Sequence, residues 1–172
     1  MPVLLFLICI PNLWATPLKN QNPTNNVRRF DVELGGVNHG VFSPFLEFDI
    51  GTRFTMQRWS KINGTSLIGG IGLSAGINHA LHRDATRFEI ASGWHIHIVG
   101  LTVGGLMQVD DADIDFGVRL GIDFGIPDSV GMYIRKAYVT REDRQWLTEF
   151  GFHFPIWGKS TNKDLVRESL GY

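Results

Sequence analysis

The chain of 172 residues holds a single cysteine, Cys9. One thiol excludes an internal disulfide framework and a cysteine-based zinc site, both of which need several cysteines at set spacings. Lysine is scarce, with five residues against eleven arginines. Water-facing surfaces usually carry lysine freely, so the shortage points to strands that meet little water. Net charge is lacking too: the formal value is -1 and the pI near 6.6, which leaves no electrostatic case for binding nucleic acid. After the N-terminal fifteen residues, no segment approaches the roughly 18 consecutive apolar residues of a transmembrane helix. Phosphate loops, Cys/His zinc spacings and nucleic-acid motifs are absent, and neither a cofactor nor a metal is expected.

What the chain does have is alternation. In Asp113 to Gly125, residues Ile114, Phe116, Val118, Leu120, Ile122 and Phe124 share one parity, and Asp113, Asp115, Gly117, Arg119, Gly121 and Asp123 share the other. Successive side chains of an extended strand point to opposite faces, so this segment has one apolar face and one polar, glycine-rich face. A helix would scatter both sets around its circumference.

The same pattern recurs along the chain. Phe30, Val32 and Leu34 oppose Arg29, Asp31 and Glu33; Leu46 to Met56 oppose Glu47, Asp49, Arg53 and Gln57. Leu67 to Ile77 form a third run, with Ile68 out of phase. Thr86 to Asp110 contain two strands, with a turn expected near Val99-Gly100 and Leu106 out of phase. Val130 to Thr140 carries the weakest pattern, and Gln145 to Trp157 closes the series, Glu149, Gly151 and His153 opposing its aromatic face. Short turns between eight such strands predict an all-β, antiparallel up-and-down barrel of the membrane type.

Two barrels fit this alternation. A soluble carrier of an apolar ligand turns its apolar face inward; an outer-membrane barrel turns it to lipid and fills a narrow lumen with polar groups. The apolar face is broader than one small lumen can hold, and the polar face is rich in glycine, which favours the membrane form. The lumen would then carry Arg29, Asp31, Glu33, Glu47, Asp49, Arg53, Arg87, Glu89, Asp115, Arg119, Asp123 and Glu149. Arg53, Arg87 and Arg119 should each pair with a carboxylate on the same or an adjacent strand. The histidines of that face are His95, His97 and His153, expected in hydrogen-bonded lumen networks; the roughly 7 Å between i and i+2 side chains is wide for a shared metal. Phe42, Phe45, Trp59, Tyr133, Trp146 and Trp157 lie near strand ends, where interfacial girdles form.

The flanks read differently. Residues 1–15 (MPVLLFLICIPNLWA) have the apolar core and the small residue at Ala15 of a secretory signal, although no basic residue precedes the core. Cys9 lies inside it, so the mature chain would have no thiol. Residues 16–26 read as a polar leader, 27–157 as the barrel and 158–172 as a polar tail able to form a short helix.

From Arg28 to Trp157 the pattern resembles the small eight-stranded outer-membrane β-barrel proteins of Gram-negative bacteria. The resemblance implies a bacterial outer-membrane location, lipid as the surrounding partner, a monomer, and a structural or surface-interaction role. Segment Ser129 to Ile156 is similar in layout to the lipid A 3-O-deacylases, including Phe154-Pro155-Ile156. Where that family has its catalytic His-x-Ser, this chain has Arg135-Lys136-Ala137-Tyr138, so no catalytic residue is carried over. A lipid-modifying hydrolase stays an alternative, as does a secreted carrier; a nucleophile elsewhere, such as Ser92 near His95, needs a base within reach.

Overall fold

The computed structural model describes residues 24–39, 46–61, 68–81, 84–110, 113–125, 129–140 and 146–161. Among them every regular element is a strand. They are β1 (Thr24–His39), β2 (Leu46–Lys61), β3 (Ile68–Ala80), β4 (Ala85–Ile96), β5 (Val99–Asp110), β6 (Asp113–Phe124), β7 (Gly131–Val139) and β8 (Trp146–Ser160). Each strand pairs antiparallel with the next, and β1 pairs with β8, so the sheet closes in chain order. Closure leaves no unpaired edge. The fold is the eight-stranded antiparallel meander barrel that the alternation predicts.

Element ends differ from expectation in three places. Strand β1 begins at Thr24, inside the stretch read as leader, and β8 runs on to Ser160, where Ser160 Oγ donates to Asn25 Oδ1 at 2.6 Å. The β4–β5 turn is His97-Ile98, earlier than Val99-Gly100, and His97 takes a left-handed φ of 56° there. The signal segment, Cys9, Phe42, Phe45 and most of the tail lie outside the described residues.

The period of two survives closure. In β6, Asp115 and Arg119 are buried while Phe116, Val118 and Leu120 are exposed. Strand β8 breaks the period once. Phe30 faces Trp157 but Asp31 faces Pro155, so Ile156 is an extra residue and the strand bulges there. Proline offers no ladder N–H and is confined within sheets to edges and bulges; this barrel has no edge, so Pro155 sits beside the bulge. The extra residue lets Ile156 and Trp157 both face outward.

Glycine on the inner face makes room for the largest lumen side chains. Trp59 stands directly opposite Gly70, His95 opposite Gly100, Tyr133 opposite Gly151 and His153 opposite Gly131. The arginines follow the same rule: Arg53 faces Gly76, Arg119 faces Gly104 and Arg135 faces Gly121. An eight-stranded barrel is just wide enough for its own side chains, so a large group on one strand demands a small one beside it. A Cβ at Gly35 would collide with the Tyr133 hydroxyl and the Phe150 carbonyl oxygen, whereas one at Gly105, on the outer face, would meet nothing within 4 Å. Gly35→Ala is therefore expected to destabilise the refolded protein by about 1–3 kcal/mol through overpacking. Gly105→Ala should be close to neutral; equal urea midpoints for the two variants would contradict this packing.

Apolar residues cluster at both ends of the lumen. Val27, Trp59 and Ile68 cluster at the end where β1 begins and β8 finishes, and Val37, Leu106, Ala137, Val139 and Leu147 at the other. Ile68 and Leu106, out of phase in the sequence, are thus inward residues. Trp59 and Tyr133 are not girdle aromatics: they are 1% and 5% exposed inside the barrel, because their parity is that of the polar face. Trp146 and Trp157 do face outward.

Candidate functional site

The charged lumen residues are held by the inward parity of six strands, β1, β2, β4, β6, β7 and β8, and most of their carboxylates and guanidiniums form one alternating chain. Glu33 on β1 lies at its centre. It accepts from Arg53 of β2 at 2.6 and 3.3 Å, and from Arg135 of β7 at 2.7 and 3.2 Å, both in forked, two-bond geometry. Such charge-assisted pairs are the strong kind, and with a guanidinium on each side the carboxylate is fully satisfied. Arg53 also donates to Ser74 Oγ at 3.0 Å and pairs with Glu89 of β4. Glu89 pairs in turn with Arg119 of β6, which lies 3.6 Å from Glu149 of β8. Glu149 is 3.6 Å from Arg87 of β4, whose other partner is Asp49 of β2.

Read end to end, the order is Arg135, Glu33, Arg53, Glu89, Arg119, Glu149, Arg87, Asp49, with signs alternating at every step. Asp123 of β6 adds a branch on Arg135 at 3.4 Å, and Arg29 pairs with Asp31 at 2.8 Å beside the chain. A buried charge is tolerated only when paired and hydrogen-bonded, and here acids and bases balance along the chain.

All twelve charges expected in the lumen have inward parity. Ten are buried, while Glu47 and Asp123 are half-buried. Pairing reaches beyond the expected own or adjacent strand. The described partners of Arg119, Glu89 and Glu149, lie two strands away, and those of Arg87, Asp49 and Glu149, two and four strands away, because the lumen is narrow enough for a long guanidinium to cross it. Arg135 is the residue that sequence reasoning missed. It is 1% exposed and stacks over the Tyr133 ring at 3.6 Å. The signal was present in the inward set Tyr133, Arg135, Ala137 and Val139, but the outward set there includes Lys136 and Tyr138, which hides the apolar face.

Between the chain and the end where β1 begins lies a small polar cavity with an open mouth, lined by Arg29, Gln57, His95, Thr102, Asp123 and His153 among others. Trp59 Nε1 donates to Gln57 Oε1 at 3.1 Å. An indole N–H can only donate, so this bond fixes the Gln57 amide and turns its Nε2 toward His95 Nε2 at 3.5 Å. His153 lines the same cavity, whereas His97 belongs to the turn and not to the strand face. Ser92 and His95 fall on opposite faces of β4 and cannot act as nucleophile and base. Among the described residues no three His, Cys, Asp or Glu side chains gather as a metal site.

The site and fold together define a closed eight-stranded barrel, polar and ion-paired within and apolar without. No family model matches the sequence, and no curated protein matches it. Among solved structures, a de novo designed transmembrane β-barrel matches 79% of this chain and 98% of its own, at 8% identity and a TM-score of 0.43. The outer membrane protein Ail of Yersinia pestis, solved in a phospholipid bilayer nanodisc, matches 79% of this chain and all of its own (100%), at 9% identity and a TM-score of 0.34. The crystal structure of the same attachment invasion locus protein covers 81% of this chain, at 6% identity and a TM-score of 0.26.

Proposed function

We propose that this protein is a small outer-membrane β-barrel with a structural or surface-interaction role, monomeric in outer-membrane lipid, its lumen plugged by the alternating ion-pair chain. The observation that carries the reading is the outer face. Ile90, Leu120, Phe116 and Ile114 are 59–65% exposed, and they belong to an apolar surface that includes residues of all eight strands. Soluble monomers rarely expose contiguous apolar patches beyond a few hundred Å². A closed barrel satisfies every backbone polar group internally, which is what a lipid environment demands.

The secreted-carrier alternative needs a dry apolar lumen, and this interior is charged. The hydrolase alternative needs a base and a nucleophile at the end of β7, where Arg135 instead holds Glu33. Fractionation tests the proposal. The protein is expected in the outer-membrane fraction, released only by detergent. Recovery from a detergent-free periplasmic extract would sink it.

A further inference from the structure

Outward positions on the strands hold four charged side chains, Arg28, Arg58, Lys136 and Lys159, and no carboxylate among the described residues. Three of the four gather on one rim. Arg28 of β1 stands directly opposite Lys159 of β8, and Arg58 of β2 stands opposite Asn26, one same-face step from Arg28. Directly opposed side chains on a sheet lie about 5 Å apart at Cβ, and diagonal ones about 7–8 Å. Like charges held so close repel. Among the described residues none of the three has an ion pair or hydrogen bond through its side chain. Inside the barrel every stretch of cations is interleaved with acids; on this rim nothing in the described chain neutralises them.

Their depth says what does. Trp157 and Phe30 form the outward pair one same-face step nearer the barrel middle. Tryptophan settles at the boundary between hydrocarbon and headgroups, so side chains one step (roughly 7 Å) beyond it reach the level of lipid phosphates. We propose that the outer rim formed by β8, β1 and β2 is a binding site for the phosphate of an anionic phospholipid headgroup. The Arg28 and Arg58 guanidiniums offer forked donors, and Lys159 adds a mobile point charge. This rests on the membrane reading above. Lys136, on the opposite rim, is single and sits over the Trp146 ring at 5.4 Å, which makes it the natural control.

The test is native mass spectrometry of the full chain, released from nanodiscs of phosphatidylcholine containing a minor fraction of phosphatidylglycerol. The wild type is expected to retain phosphatidylglycerol preferentially. Arg28→Gln, Arg58→Gln and Lys159→Gln should each cut that preference about five-fold, and the triple variant should abolish it. Lys136→Gln should leave it unchanged. Equal retention of both lipids by the wild type, or an equal loss from Lys136→Gln, overturns the site while leaving the barrel in its membrane. A chain that stays folded and soluble without nanodisc or detergent overturns the membrane reading and the site together.

Discussion

Glu33→Ala is expected to lower the unfolding free energy by about 3–5 kcal/mol, the loss typical of removing one partner from a buried ion pair. Glu33 is 1% exposed and takes forked bonds from two arginines on opposite sides of the β1 strand. Its removal leaves Arg135 with Asp123 at 3.4 Å and Arg53 with Glu89 and the Ser74 hydroxyl. Both guanidiniums stay inside the barrel, Arg53 5% and Arg135 1% exposed, so the charge left behind is poorly solvated. Most of the penalty is thus the stranded positive charge, and the lost bonds are the smaller part. That origin has its own signature. Combining Glu33→Ala with Arg135→Met removes the stranded cation, so the double variant should lose less than the sum of the single losses. Urea unfolding of protein refolded in detergent measures all three. A loss below about 1 kcal/mol for Glu33→Ala would be that of a solvated surface pair and would place the polar face in water.

How much of this was legible in the sequence depends on what each face had to meet. In β6 the outer residues are all large and apolar and the inner ones are Asp, Gly and Arg, so parity alone assigns both faces. In β7 the outer set ends in Lys136 and Tyr138, near the end of the strand; the contrast that marks a strand fades there, and with it the sign that Arg135 is inward. Trp59 and Tyr133 were assigned by residue type to a girdle, although parity placed them with the polar face. Their glycine partners, Gly70 and Gly151, lie on the following strand and become neighbours only through register. The ion-pair chain was legible as a list of inward charges but not as a connectivity. Which guanidinium crosses to which carboxylate depends on closure, which brings β4 against β2, and β6 against β4, across the lumen.

The orientation of the two faces is open to a substitution that separates lipid from core. Ile90 lies at the middle of β4, is 65% exposed, and has outward neighbours Ala75 on β3 and Gly105 on β5. With small groups on both sides it is in contact with the surroundings more than with the protein. If those surroundings are hydrocarbon at mid-bilayer depth, Ile90→Arg should cost roughly 2–4 kcal/mol. Ile90→Ala removes no packed core and should cost less than about 1 kcal/mol, a difference of strand propensity only. In a soluble barrel with its apolar face inward the order reverses in kind: the alanine change would open a cavity worth about 2–5 kcal/mol. The pair of variants is compared by urea unfolding after refolding into phospholipid vesicles, with the wild type alongside. A large loss from alanine would put Ile90 in a core. An arginine change without effect would put it in water. Only a small alanine loss together with a large arginine loss is consistent with a side chain that faces lipid.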